Sequence, residues 1–124
     1  MSAAQPRVRL KRAYDSPEQS DGLRVLIDGL WPRGLSKQKA AIDVWLKEIA
    51  PTTELRKWYG HEVDRWSEFR QRYRKELHAN TEATSHLISL CHKGPVTLVF
   101  SAHDEAHSNA HVLFEFLEES FVKK

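Results

Sequence analysis

The chain is short of the residues that build covalent or membrane frameworks. Its 124 residues include one cysteine, Cys91, so no internal disulfide can form, and a lone thiol suits a reducing compartment. No span approaches the roughly 18 consecutive apolar residues of a membrane-crossing helix. Met1 to Leu10 carries Arg7 and Arg9 and lacks the apolar stretch of a secretory signal. A cytoplasmic protein with no membrane partner is therefore expected. The chain also lacks internal repeats and low-complexity segments.

What is present fits one globular domain spanning residues 1–124, with flexible ends expected at 1–6 and 119–124. A chain of 124 residues divided in two would leave cores too small to stabilise themselves. With 40% hydrophobic and 29% charged residues, the composition is that of an ordinary folded protein. Net charge is only +2, but it is segregated: residues 1–75 hold 16 of the 19 Lys and Arg against 10 of the 17 acids, leaving +6 there and −4 beyond. An anionic partner for one face accounts for this, as does a solvated mixed surface.

Hydrophobic periodicity supplies the elements. Val8 to Tyr14 alternates as a half-buried strand does, and Arg24 to Leu30 holds the run Val25-Leu26-Ile27 expected of a strand covered on both faces. The loop between them, Asp15 to Gly22, reads as a mobile connection tolerant of change. Ser36 is a good N-cap for a helix bearing Ile42, Trp45, Leu46 and Ile49 at i, i+3, i+4, i+7 and stopped by Pro51. Further helices are predicted over Thr53 to Tyr59, closed by Gly60; from Asp64, with Trp66, Phe69, Tyr73 and Leu77 as one stripe; and from Asn80, with Leu87, Leu90 and Cys91. Val96 to Ala102 is the strongest strand, and a last helix from about Ser108 turns Ala110, Leu113, Phe114 and Leu117 inward. The prediction is an α/β fold: a small, mostly parallel sheet of about three strands flanked by about five helices.

A strand, a long helical connection and another strand make a parallel crossover. The ends of strands 24–30 and 96–102 then share one edge, where open α/β sheets bind ligands. That edge would gather two polar segments. In Asp28-Gly29-Leu30-Trp31-Pro32-Arg33-Gly34 a stiff turn can present the Arg33 guanidinium to a carboxylate or phosphate, or simply join strand to helix. Asp28 can orient Arg33, exchange a proton, bind a metal or cap the turn. In the second segment, Ser101 to His111, Asp104 is spaced to orient the His107 imidazole as a general base needs, although Asp104 and Ser108 can equally cap the last helix. His103, His107 and His111 recur every four residues, but His103 precedes the helix, so no metal is expected, and no cofactor is indicated. The third segment, Leu55-Arg56-Lys57-Trp58-Tyr59-Gly60-His61 with the basic helix to Lys75, mixes cations and aromatics as single-stranded nucleic acid would require. Interleaved acids at Glu54, Glu62, Asp64, Glu68 and Glu76 also make it read as a helix surface laced with ion pairs. Cys91 reads as an inert core thiol.

These strings, together with Arg72-Tyr73, Glu76-Leu77, Lys93-Gly94-Pro95-Val96-Thr97-Leu98 and Asn109-Ala110, resemble the YeaO-like family of bacterial proteins of unknown function over about residues 7 to 118. The resemblance carries no established reaction. This chain departs from the family pattern in having Gly29 after Asp28, where Arg is typical, and His103 and Ser108 around the last motif. Paired cysteines found near the last strand in larger relatives are absent, which argues against thiol chemistry. Neither a glycine-rich methyl-donor loop nor a clear helix-turn-helix is present.

The expected function is binding of a small anionic, phosphate- or nucleotide-like ligand at the strand ends, with or without turnover. Arg33, Arg56, Lys57, His61 and Asn109 would hold the ligand, and Asp28, Asp104 and His107 would supply acid, base or orienting groups. The alternative is a nucleic-acid-binding module using residues 56–75. The sequence leaves the oligomeric state open.

Overall fold

The computed structural model describes residues 6–122. The ends expected to be flexible at 1–5 and 123–124 lie outside the described residues, whereas residues 119–122 continue the last helix. Four strands, β1 (Val8–Arg12), β2 (Leu23–Leu26), β3 (Val44–Trp45) and β4 (Val96–Phe100), form one sheet in the order β1-β4-β2-β3. All three pairings are parallel. Among the described residues five helices accompany them: α1 (Lys37–Ala40), α2 (Thr53–Tyr59), α3 (Trp66–Ala79), α4 (Thr81–Lys93) and α5 (Asn109–Val122). The fold is α/β in a single domain, with one strand more than the sequence suggested.

β4 is central because every residue of Val-Thr-Leu-Val-Phe can be buried, and all five are. Val25, Ile27, Leu98 and Phe100 point into a large core shared with α2 to α5, while Leu26 and Val99 face a smaller core closed by Trp31, Leu35, Ile42 and Trp45. Each fully buried side chain of this kind contributes about 1.5–3 kcal/mol. Cys91 is 1% exposed in the large core, and burial pushes its thiol up to about 11. Among the described residues no helix is long and apolar enough to cross a membrane.

Several local expectations give way to tertiary structure. The helix predicted from Ser36 to Ile49 is only the four-residue α1, followed by β3 and a 3-10 turn at Lys47–Ile49. Two groups on Arg24 redirect the chain. Its side chain, 3% exposed, donates to the Ala40 and Ala41 carbonyls at 2.8 and 3.1 Å, and its backbone N–H donates to the Asp43 carboxylate at 2.9 Å. Ala41 turns left-handed at φ 50°, and Val44 and Trp45 pair with β2.

The loop expected to be tolerant at Asp15 to Gly22 ends in a buried ion cluster. Asp21, 1% exposed, meets Arg24 Nη1 at 2.6 Å and Lys11 Nζ at 3.1 Å, and its carbonyl accepts from the Thr97 hydroxyl at 2.7 Å. Next to it, Gly22 has φ 66°, and a Cβ there would lie 2.4 Å from the Pro95 carbonyl oxygen.

Neither of two expected caps makes a side-chain capping bond. Asp64 sits inside a 3-10 turn, Val63–Arg65, ahead of α3. Asn80 stands at the start of α4 but sends its amide to the Glu48 carbonyl at 2.7 Å, tying α3 and α4 to the 47–49 turn. On α5, Phe114 is only half-buried, and Val112 and Phe116 join Ala110, Leu113 and Leu117 on the inner face. β1 and β2 stop at Arg12 and Leu26, short of Tyr14 and Leu30, as the chain leaves the sheet.

Candidate functional site

Parallel register brings Arg12, Leu26 and Phe100 to one edge of the sheet. The chain beyond each strand therefore meets the others there. Asp28, two residues past β2, is the joint: its Oδ2 accepts from the Ser101 backbone N–H at 2.9 Å and its Oδ1 from the Asn109 side-chain amide at 3.0 Å. One carboxylate thus fastens the ends of β2 and β4 to the first turn of α5. The Asp28 carbonyl accepts from the Trp45 indole at 2.8 Å, adding β3 to the same joint.

Burial raises the Asp28 carboxyl above its ordinary range, opposed by the Asn109 and Ser101 hydrogen bonds and the positive charge of Arg56. Arg56 is exposed on α2 and, among the described residues, pairs with no carboxylate. Desolvation and charge thus pull Asp28 in opposite directions.

From β1, Arg12 reaches across the rim and donates to the Ala102 and Ser101 carbonyls at 2.9 and 3.1 Å. Ser101 is thereby held through both its N–H and its carbonyl. Further along, Asp104 Oδ2 lies 2.7 Å from His107 Nδ1, and the His107 carbonyl accepts from the Tyr59 hydroxyl at 2.7 Å. The His107 ring stands edge-on to Trp66 at 5.2 Å. The Asp104 carboxyl is held below its usual range chiefly by its bond to His107, whereas burial and the charge of Asp104 push the Tyr59 phenol up. With Nδ1 engaged by the carboxylate, Nε2 of His107 is the nitrogen left to meet a ligand.

Of the two caps expected for the last helix, Ser108 fills that role, whereas Asp104 caps the 3-10 turn Glu105–His107 ahead of it. Asp104 accepts from the His107 backbone N–H at 3.3 Å, and the Ser108 hydroxyl accepts from that of His111 at 3.2 Å. Asp104 therefore caps a turn and orients an imidazole at once. Among the described residues no three His, Cys, Asp or Glu side chains group as metal ligands would.

The structure unites Asp28 with Asn109, and Asp104 with His107, and sets Arg56 within electrostatic reach of Asp28. Arg33 and Lys57 are exposed, and neither bonds to these pairs among the described residues. The Arg33 carbonyl is fixed by the Tyr14 hydroxyl at 3.0 Å. His61 is exposed, with a left-handed backbone at φ 61° and its ring 6.1 Å from Tyr59. Arg12, Tyr59 and Ser101 were not singled out from the sequence. Ser101 contributes backbone groups, which carry no side-chain signature, whereas an arginine near the end of the first predicted strand could have pointed to Arg12.

A helix-flanked parallel α/β domain with a carboxylate-pinned strand-end rim is the class of protein these features define. Residues 7–124 match the family described as "Inactive DUF488-N3 subclade", and the chain belongs to it. It is 44% identical over 110 residues to "Uncharacterized protein YeaO" of Escherichia coli (strain K12), covering 89% of this chain and 96% of that protein. It is 40% identical over 111 residues to "Uncharacterized protein Mb3100c" of Mycobacterium bovis and to "Uncharacterized protein Rv3073c" of Mycobacterium tuberculosis (strain ATCC 25618 / H37Rv), covering 90% of this chain and 93% of each. The YeaO-like resemblance read from the sequence motifs is thereby established. No solved structure matches the chain at a significant level.

Proposed function

We propose that this domain binds a small phosphate-bearing anion at the C-terminal rim of its sheet and does so without turning it over. The supporting observation is the Asp28 joint, which holds segments 28–34 and 101–109 on one edge with the exposed Arg56 nearby. Arg33, Arg56 and Lys57 supply positive charge for the anion. His61 and the Nε2 of His107 offer further polar contacts, with Asp104 fixing the imidazole. Asp28 and Asn109 act as positioning groups, since both Asp28 oxygens and the Asn109 amide nitrogen already bond within the joint. The word "Inactive" in the family description supports binding over catalysis. A cytoplasmic setting goes with this reading, supported by the single buried thiol.

The test is a thermal-shift titration with inorganic phosphate. A ligand at ten times its Kd adds about 1.4 kcal/mol of stability, which for a chain of this size raises Tm by about 5 °C. Arg33→Ala and Arg56→Ala should each reduce that shift while leaving the unliganded Tm within about 1 °C, since surface substitutions are nearly neutral. A wild-type Tm that phosphate leaves unmoved even at a concentration of about 50 mM, enough to fill a millimolar site, refutes the proposal. The nucleic-acid reading of residues 56–75 has less support. The Trp58 ring that would stack on a base already carries the Arg72 and Arg65 guanidinium groups at 4.5 and 5.4 Å, and Arg72 is itself paired with Glu68.

A further inference from the structure

Beside the Asp28 joint lies a feature that the anion reading leaves unused. Tyr14 follows β1 by two residues and is 44% exposed, yet its ring is fixed at two points. The hydroxyl donates to the Arg33 carbonyl at 3.0 Å, and the Arg12 guanidinium lies 5.2 Å from the ring centroid. Arg12 is itself anchored to the Ser101 and Ala102 carbonyls. A ring held this way costs little further entropy when something stacks on it. It is also joined through one hydrogen bond to Arg33, whose guanidinium pairs with no carboxylate among the described residues. Leu30, 61% exposed, stands three residues before Arg33 and adds apolar surface to the same segment. Single exposed apolar residues need no special account. A pinned aromatic ring, coupled to one arginine and backed by a second, is a more specific arrangement.

We propose that the rim takes a nucleoside monophosphate, with its base stacked on the open face of Tyr14 and its phosphate on Arg33. This deepens the anion reading and rests on it. A flat π-system matches the ring and a doubly charged phosphate matches the guanidinium, so a ligand joining the two gains both contacts for a single loss of translational freedom. Inorganic phosphate should bind the same rim more weakly, and adenosine, lacking the charge, more weakly than AMP.

Calorimetry with AMP, adenosine and inorganic phosphate tests this on the full chain. Loss of a base stack corresponds to about tenfold in affinity, so Tyr14→Ala and Tyr14→Leu should each weaken AMP about tenfold and leave phosphate unchanged. Tyr14→Phe, which keeps the ring, should stay within about threefold of wild type for AMP. Loss of the Tyr14 hydroxyl bond costs about 1 kcal/mol, so these variants should melt within about 5 °C of the wild type, and a circular-dichroism melt checks that they stay folded. If wild type binds AMP and phosphate equally and Tyr14→Ala changes neither, the stacking assignment is overturned while the anion site stands. If wild type binds neither, both proposals fall. A 5′-phosphorylated trinucleotide should bind no more tightly than AMP, and binding about a hundredfold tighter, the gain of further stacked bases, would overturn the choice of a free nucleotide.

Discussion

A carboxylate that meets two cations away from water, as Asp21 meets Lys11 and Arg24, leaves the buried Arg24 without a counter-charge when it is removed. Breaking a buried pair from one side costs about 3–5 kcal/mol, so Asp21→Ala should lower the urea midpoint by that equivalent. Burial pushes the Asp21 carboxyl up, but the Glu18 N–H, Lys11 and Arg24 together hold it below its usual range. A depressed folded value means that its stabilisation is present at neutral pH and is lost as pH falls through the carboxylate range. Asp28 has the opposite sign. Its folded value is raised chiefly by burial, so its ionised form carries a cost that disappears on acidification. Asp28→Asn should therefore steepen the loss of stability as pH falls from the raised folded value towards about pH 4, where a normal aspartate titrates, and Asp21→Asn should flatten it below about pH 4. Urea denaturation at stepped pH separates the two. At neutral pH, Asp28→Asn keeps an acceptor for Ser101 and should cost less than about 1 kcal/mol, whereas Asp28→Ala orphans two donors and should cost about 1–3 kcal/mol.

The elements respond to backbone conformation as much as to side chains. Gly22 leads into β2 at φ 66° against the Pro95 carbonyl; Gly22→Ala adds both left-handed strain and a collision with backbone, for a cost of about 3 kcal/mol by denaturation. Ala41, which ends α1 at φ 50°, should instead gain about 0.5–1 kcal/mol on substitution by Gly. How much of this was legible beforehand depends on whether a segment's neighbours are local. β4 and α2 were readable, because an apolar run between Pro95 and a polar loop, and a stretch between Thr52 and Gly60, carry their own boundaries. The segment from Ser36 to Ile49 was not. Its helical spacing is genuine, but Leu46 and Ile49 enter the large core while Ile42 and Trp45 enter the small one on the other side of the sheet. A periodicity count cannot see that one apolar stripe is divided between two faces. The meeting of Asp28 with Ser101 and Asn109 was legible from strand direction alone, whereas the buried cluster at Asp21 was hidden in what looked like an ordinary polar loop.

Taken as a whole, the sheet has two exposed borders, and each is blunted differently. β3 is only two residues long. β1 is longer, but Arg9, Lys11 and Arg12 lie along it, and charged residues on a border strand discourage pairing with a second molecule. Arg9→Val would merge Val8 and Leu10 into one uninterrupted apolar run on that border, and light scattering should then show association that rises with protein concentration while the wild type does not. Core and surface also differ in what chemistry can reach them. Because the only sulfhydryl sits on the inner side of α4, 1% exposed and with its thiol raised to about 11, alkylating reagents can modify it only when the molecule opens. The protein therefore carries its own stopwatch: the rate of Cys91 labelling reads out how often the native state comes apart, with no reporter engineered in.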